Sequence, residues 1–395
     1  MRQEVSSRHY GLDGLRIATF TLLVFYHCAL PFGPSAWLVK VAHPSALVDL
    51  FLVAVQAWRM PLLFAVSGYA SWALFARSGG PGPFLRSRAA RLLPPLLLGT
   101  LLLAAPETWI GLVENHGYAR GFGYFWLHDW LSFEELAGVP LPNPEHLWFL
   151  AYLLTYTALL SAALAFAPAA LRRRAGQAVE AASRNPRLLL LALAPLLVLR
   201  LALLFTVSEQ RGLLHDWVSD VTFIPGFLFG FALAARPALW SVVRGAQGLA
   251  RPAAIVALAV LLAVDYRYPD QAPHLAQASE RSAQMVMAFA MIFVLFDFAD
   301  RRLNRDWKGR RTLNEAVFPL YLVHQTIIVL LAWGLRDRGL PHGLLYATLV
   351  GATFAGAGLF YIAARRAGPL RPLLGLAPPR TPRTASTAPR PLPAV

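Results

Sequence analysis

The stretch RIATFTLLVFYHCALPF, residues 16–32, decides the fold. Its apolar character, with the residues just before it, predicts a helix over about 12–32, close to the roughly 20 residues that one hydrocarbon core requires. His27 lies near the far end of this run. Because an ionisable side chain is costly inside a membrane, a histidine at this position marks a candidate functional residue.

Outward from this stretch, the composition of the whole chain is that of a membrane protein. Hydrophobic residues make up 57% of the 395 residues and charged residues only 14%, whereas soluble proteins average about 25% charged residues. About ten apolar runs are long enough for spans, and they lie at roughly 12–32, 45–76, 91–111, 146–168, 187–207, 221–235, 252–266, 283–299, 314–335 and 343–364. The sequence therefore predicts an all-α, polytopic membrane helical bundle of about ten transmembrane helices.

The distribution of charge predicts the orientation of this bundle. With a cytoplasmic N-terminus, the inside segments are 1–16, 77–91, 172–187, 236–251, 300–311 and 365–395. These segments hold 27 of the 36 Lys and Arg residues but only five of the 21 acidic residues. This asymmetry follows the positive-inside rule and predicts that both termini are cytoplasmic. A nucleic-acid partner is not expected, because the net charge of +15 alternates with apolar spans and does not form one basic face.

The chain is predicted to contain one transmembrane domain, residues 10–366. No cleavable signal peptide is expected, because no small-residue cleavage site follows the first apolar run. Residues 367–395 are rich in Pro and Arg and are predicted to be a disordered cytoplasmic tail. The longest outside loop, about 107–145, interleaves aromatic residues with carboxylates. It suits either a carbohydrate-facing surface or an aromatic belt with a surface helix.

The first span presents Arg16 and His27 on one face. Their separation of 11 residues is close to three helical turns, so the two side chains lie about 16 Å apart along the axis. Asp13 is one turn before Arg16 and within reach of an ion pair. This arrangement suits an anionic ligand that enters from the cytoplasm and extends toward the imidazole. The simpler interpretation is that Arg16 reaches the inner headgroups and His27 bonds a helix neighbour.

Further ionisable residues are candidates for the same site. Arg88 and Arg91, one turn apart at the cytoplasmic mouth of the third span, could grip a phosphate. His324 lies near the middle of a span and could instead be an interhelical hydrogen-bonding residue. His146 is expected to be an ordinary residue at the watery outer interface. Arg59 is either at headgroup level or faces a cavity.

Cys28 is the single cysteine, which excludes an internal disulfide and a cysteine-rich metal site. Although it follows His27 directly, neighbouring helical residues point about 100° apart. A packed thiol is therefore expected instead of a nucleophile, and no metal is expected.

The residues with these spacings resemble the acyltransferase-3 family of bacterial inner-membrane proteins. Members of that family carry an arginine and a histidine with ten residues between them in the first span, here Arg16 and His27, and an Arg-x-x-Arg motif at the third span, here Arg88 to Arg91. The resemblance covers about residues 10–366. It implies transfer of an acyl group from cytoplasmic acyl-CoA, as acetyl-CoA or succinyl-CoA, to a hydroxyl of a periplasmic or cell-envelope carbohydrate.

The resemblance also implies roles for the matched residues. His27 is the expected catalytic base, and Arg16, Arg88 and Arg91 are expected to bind the acyl donor. His324 and Ser67 are candidates for the oxyanion donor. Direct transfer and a covalent acyl-enzyme both remain open.

Two alternatives stay open at this point. One is a transporter in which His27 and His324 relay protons and the arginines recognise an anionic or sugar substrate. The other is a non-catalytic scaffold for a glycosyltransferase.

Overall fold

The structure, a computed structural model, describes residues 9–184, 187–204, 216–269 and 272–379. Its helices are α1 Tyr10–Ala29, α2 Ala46–Ser78, α3 Pro81–Gly99, α4 Ala105–His116, α5 Phe122–Tyr124, α6 Trp148–Phe166, α7 Ala169–Arg184, α8 Arg187–Leu204, α9 Trp217–Ala235, α10 Leu239–Gly245, α11 Gln247–Arg267, α12 His274–Phe298, α13 Arg310–Leu335 and α14 His342–Arg366. Two short strands, β1 Glu135–Leu136 and β2 Val139–Pro140, form an antiparallel hairpin.

The predicted helical membrane bundle is confirmed. Within the described residues, nine helical segments are long and apolar enough to cross a membrane. They are Tyr10–Phe32, Ala46–Ser78, Pro81–His116, Glu145–Phe166, Trp217–Ala235, Gln247–Arg267, His274–Leu303, Arg310–Leu335 and His342–Arg366. The predicted span 187–207 overlaps α8, and its residues 205–207 lie outside the described part of the chain.

Ion pairs bring the start of the first span and the end of the last span to one end of the bundle. Asp13 in α1 pairs with Arg310 at the start of α13. Glu315, one turn further along α13, pairs with Arg371, which follows α14. We call this the arginine-rich end. The start and the end of the described chain therefore lie at the same end of the bundle, which agrees with the prediction that both termini share one side of the membrane.

Helix α8 contains a further apolar stretch, Leu193–Leu203, that is shorter than the nine segments above. It packs against α9 and α12. The N-cap residue of α9, Asp216, accepts a 3.0 Å hydrogen bond from the Tyr152 hydroxyl near the start of α6. With α8, the described residues contain ten apolar helical segments, in agreement with the predicted number of about ten.

Helices α2 and α9 approach each other so closely that their backbones touch at two glycines. A Cβ atom built on Gly68 would lie 1.9 Å from the carbonyl oxygen of Phe227, and one on Gly230 would lie 1.8 Å from that of Ala65. Small residues at such contacts allow close packing in membranes, where lipid tails compete with side chains for apolar surface.

Two boundaries differ from the sequence-based expectation. The third span continues through a π-helical turn, Thr100–Ala104, and α4 to His116. The outside loop therefore begins ten residues later than predicted. Residues Gly368–Leu374, expected in the tail, form a 3-10 helix, and Leu376 is buried. The physical reason is that Arg371 finds a carboxylate partner and Leu376 an apolar contact; residues 380–395 of the predicted tail lie outside the described chain.

Substituting Gly230 with Ala is expected to lower the free energy of unfolding by about 1–3 kcal/mol, because the added methyl meets backbone and forces α2 and α9 apart. Thermal unfolding in nanodiscs measures this change. The control is Gly351→Ala on α14, where an added Cβ meets nothing within 4 Å. Equal midpoints for the two variants would contradict the close approach of α2 and α9.

Candidate active site

Three of the predicted arginines line one pocket at the arginine-rich end of the bundle. Arg16 of α1 and Arg88 and Arg91 of α3 surround a cavity of about 80 Å³, which we call the arginine pocket. Its other walls are Phe20, Val66, Ser67, Ala70, Leu92, Phe149, Leu150, Leu153, Phe318 and Tyr321. The spacing of Arg88 and Arg91 on one face of α3 brings both guanidinium groups to the same cavity.

Arg88 has hydrogen-bonding capacity that no described residue uses. Its Nε and Nη2 atoms are buried and have no hydrogen-bond partner in the described chain. The guanidinium of Arg91 lies 5.7 Å from the centre of the Phe318 ring. A buried guanidinium needs an acceptor for its N–H groups, and planar guanidinium groups bind phosphate or carboxylate oxygens well. The arginine pocket is therefore suited to an anion.

His27 and His324 form a direct pair. His27 Nδ1 lies 2.8 Å from His324 Nε2, and the ring centres are 4.9 Å apart at an interplanar angle of 22°. His324 is fully buried, whereas His27 is half-buried. Since Arg16 and His27 both face α13, the predicted common face of α1 agrees with the structure.

The hydrogen bonds determine the tautomers of this pair when both rings are neutral. His324 Nδ1 lies 2.7 Å from the carbonyl oxygen of Tyr321, which can only accept, so this nitrogen donates. The lone pair of His324 is then on Nε2, and His27 Nδ1 donates to it. The lone pair of His27 consequently lies on Nε2, where a base needs it.

Tyr321 connects the arginine pocket to the histidine pair. Its side chain lines the pocket, and its ring centre is 5.7 Å from that of His324. Its hydroxyl donates to the backbone carbonyl oxygen of His146. The Tyr321 ring therefore lies between the arginine pocket and His324.

Sequence reasoning missed a buried polar network around Glu107. This carboxylate is 0% exposed and accepts hydrogen bonds from Gln325 Nε2 at 3.0 Å and Thr326 Oγ1 at 2.6 Å. His146 Nδ1 lies 3.2 Å from it. The available signal was a glutamate inside the apolar run LLLAAPETWIGL, residues 101–112, at a position where the predicted span 91–111 and the predicted loop 107–145 overlap.

The expectation for His146 needs correction, and the structure decides between the two alternatives for Arg59. His146 is only 5% exposed, so it does not lie at a watery interface; the Glu107 carboxylate and the Leu322 carbonyl, the latter at 3.0 Å from Nε2, provide its partners. Arg59 is 8% exposed in the middle of α2, with its guanidinium 3.6 Å from the centre of the Tyr26 ring. It is therefore inside the bundle and not at headgroup level.

The remaining candidates are placed as follows. Ser67 lines the arginine pocket. Asp13, predicted to be in reach of Arg16, bonds Arg310 and the Asn314 side chain. Cys28 is fully buried, as expected for a packed thiol.

The outer loop combines a short helical segment with the β1–β2 hairpin. Phe125 and Trp130 are fully buried against the outer end of α4, whereas Leu127 and Phe133 are exposed. Tyr118 donates to Asp129, and its burial together with this bond raises the pKa of the phenol. The phenol therefore remains a hydrogen-bond donor at neutral pH.

Together, the fold and the site define a polytopic membrane protein with a buried histidine pair near a pocket lined by three arginines. The chain belongs to the acyltransferase-3 family, whose model, described as an acyltransferase domain, matches residues 9–363. The protein is therefore a multi-pass membrane acyltransferase, and the predicted family is confirmed.

Two curated relatives carry the name Glucans biosynthesis protein C. Glucans biosynthesis protein C of Escherichia coli O6:K15:H31 (strain 536 / UPEC) is 25% identical over 336 residues, which is 82% of each chain. The same protein of Escherichia coli O9:H4 (strain HS) gives the same identity and coverage. This similarity is consistent with the segments RMPLLFAVSGYASWALF, HLWFLAYLL and FPLYLVHQ, which indicate a likeness to that protein. No solved structure matches the chain.

Replacing Cys28 with Ala is expected to leave acyl transfer within about twofold of the unmodified protein, because a buried thiol away from positive charge is unreactive. The native protein is also expected to resist maleimide in nanodiscs and to react once unfolded. Loss of transfer in Cys28→Ala, with unchanged thermal stability, would support a cysteine nucleophile.

Proposed function

We propose that this acyltransferase moves an acetyl or succinyl group from cytoplasmic acyl-CoA to a hydroxyl of an extracytoplasmic carbohydrate. The observation that carries the proposal is the position of the histidine pair directly beside the arginine pocket, with Tyr321 between them. The family membership supports acyl transfer. The name of the curated relatives supports a glucan of the periplasm as the acceptor.

In this proposal the arginine pocket holds the phosphates of the acyl donor. The unused N–H groups of Arg88 make charge-assisted hydrogen bonds with phosphate oxygens. Arg91 lies one turn further along α3, and Arg16 faces the same cavity from α1. The acyl-pantetheine arm then extends along α1 toward His27, about 16 Å further along the helix axis.

His27 is the general base in this mechanism. Nε2 of His27 takes the proton of the acceptor hydroxyl as its oxygen attacks the thioester carbon. The carbon–sulfur bond then breaks, and the proton passes to the CoA thiolate to give free CoA and the ester. A positioned base contributes about 10²–10⁴-fold to such a reaction, so orientation and stabilisation of the oxyanion supply the rest.

In this mechanism His324 orients His27 and does not donate a hydrogen bond to the oxyanion. In the neutral pair, its Nδ1 proton is used by the Tyr321 carbonyl and its Nε2 accepts from His27. The earlier expectation of His324 as an oxyanion donor is therefore replaced by an orienting role. Ser67 lines the arginine pocket, so in this proposal it faces the phosphates of the donor and not the oxyanion.

The proposed site lies in a bacterial inner membrane and is reached from both of its sides. The arginine-rich end holds most of the basic residues and would face the cytoplasm, where acyl-CoA is found. The opposite end, with the aromatic loop, would face the periplasm and the carbohydrate acceptor. The lipid bilayer is the remaining partner, and nucleic acid is not one.

His27→Ala is expected to lower the rate of transfer by at least about 10²-fold, because the base is lost while the bundle is retained. Purified protein in nanodiscs is incubated with acetyl-CoA or succinyl-CoA and a glucan, and free thiol and the mass of the glucan are followed. His116→Ala, an exposed histidine at the end of α4, is the control. Near-native transfer by His27→Ala would rule out the proposed base.

Arg88→Gln is expected to raise KM for the acyl donor about 10- to 100-fold, since a hydrogen bond to a charged group contributes about 1.5–3 kcal/mol. The matched control is Arg86→Gln, an exposed arginine two residues earlier on α3. Steady-state thiol release at varied acyl-CoA measures both variants. Equal KM values for the two variants would show that the donor phosphates bind elsewhere.

A further inference from the structure

Glu107 is a fully enclosed carboxylate in the membrane-spanning part of α4. It is 0% exposed, and its two oxygens are surrounded by Gln325, Thr326 and His146 from α13 and the start of α6. A carboxylate without partners at this depth would cost several kcal/mol. The network therefore holds Glu107 and its three partners in fixed positions relative to one another.

One proton shared between Glu107 and His146 makes this pair neutral overall. His146 Nε2 donates to the Leu322 carbonyl, so its Nδ1 faces Glu107 either as an imidazolium donor or as a neutral acceptor from a carboxylic acid. The pair carries no net charge in both cases. Gln325 and Thr326 also donate to the carboxyl group.

Two of the donors to Glu107 follow His324 directly in sequence. Gln325 and Thr326 are bonded to Glu107, and His324 is bonded to His27. Adjacent residues of a helix share one rigid turn, so bonds to residues 325 and 326 set the rotation and depth of the turn that carries His324.

His146 supplies a second connection between Glu107 and the histidine pair. Its ring lies edge-on to that of His324, with centres 5.2 Å apart at 87°. Its Nε2 donates to the Leu322 carbonyl, and its own backbone carbonyl accepts from the Tyr321 hydroxyl. His146 is thus held between Glu107 and the part of α13 that precedes His324.

We propose that Glu107 is a positioning residue for acyl transfer. Through Gln325, Thr326 and His146 it holds His324 so that His27 keeps its Nε2 lone pair directed at the acceptor hydroxyl. Glu107 touches neither donor nor acceptor in this role. The inference rests on the proposed role of His27 as the base.

The test compares two glutamates that join the same pair of helices. Glu114 lies two turns after Glu107 on α4 and also bonds α13, through Trp333 Nε1 at 2.8 Å and through Arg336, which follows it. Glu107→Gln and Glu114→Gln each remove one carboxylate between α4 and α13, but only the first adjoins the histidines. Both variants, together with His27→Ala, are assayed in nanodiscs for thiol release and for thermal unfolding.

Glu107→Gln is expected to lower kcat by about 10²-fold, as a misplacement of about 1 Å in a catalytic group can do. KM for the acyl donor should stay within about twofold, because the arginine pocket is untouched. Glu114→Gln should retain kcat within about threefold while losing a similar amount of thermal stability. A kcat for Glu107→Gln equal to that of Glu114→Gln, or a rise in KM with kcat retained, would overturn the positioning role.

A second variant covers the case in which Glu107→Gln does not fold. Thr326→Val removes the hydroxyl that donates to Glu107 and keeps the shape of the side chain, so a loss of about tenfold in kcat at unchanged KM is expected. Full kcat in Thr326→Val would overturn the proposal. If His27→Ala is active, the proposed base and the inference fail together; if His27→Ala is inactive and the Glu107 and Thr326 variants are fully active, only the inference fails.

Discussion

Inside a lipid bilayer no water is available to polar side chains, so their hydrogen-bond partners must come from the protein itself. Helix α13 provides most of these partners. Near its middle it bonds α1 through His324, α4 through Gln325 and Thr326, and the start of α6 through the Leu322 carbonyl. At the arginine-rich end the same helix pairs with α1 and with the segment after α14. The positions of His27, Glu107 and His146 therefore depend on how α13 is held.

Sequence reasoning was strongest where a single helix decides the outcome. The interval between Arg16 and His27 and the interval between Arg88 and Arg91 follow from the pitch of one helix, so their common faces could be predicted. The spans could be predicted because they require only length and apolar composition. The family resemblance led to the expectation that Arg16, Arg88 and Arg91 belong to one site. The cavity that these three residues line agrees with it.

Sequence reasoning was weakest where two distant segments meet. His27 and His324 are 297 residues apart, and helical periodicity gives no register between α1 and α13. Glu107 falls where the predicted span 91–111 and the predicted loop 107–145 overlap, so local sequence did not place it. Its place in the membrane depends on donors at residues 146, 325 and 326, which no local pattern relates to it. The docked segment Gly368–Leu374 was missed for a similar reason, since its partner Glu315 lies more than 50 residues earlier.

The pairing of α1 with α13 has a consequence for biogenesis. His27 enters the membrane with the first span to be synthesised, whereas His324 arrives with one of the last. During most of translation His27 is without the imidazole that sets its tautomer, and the first helix must remain near the translocon exit or rejoin the bundle later. The ribosome therefore completes nearly the whole chain before the two imidazoles can meet, so nascent fragments that end before α13 lack the histidine pair.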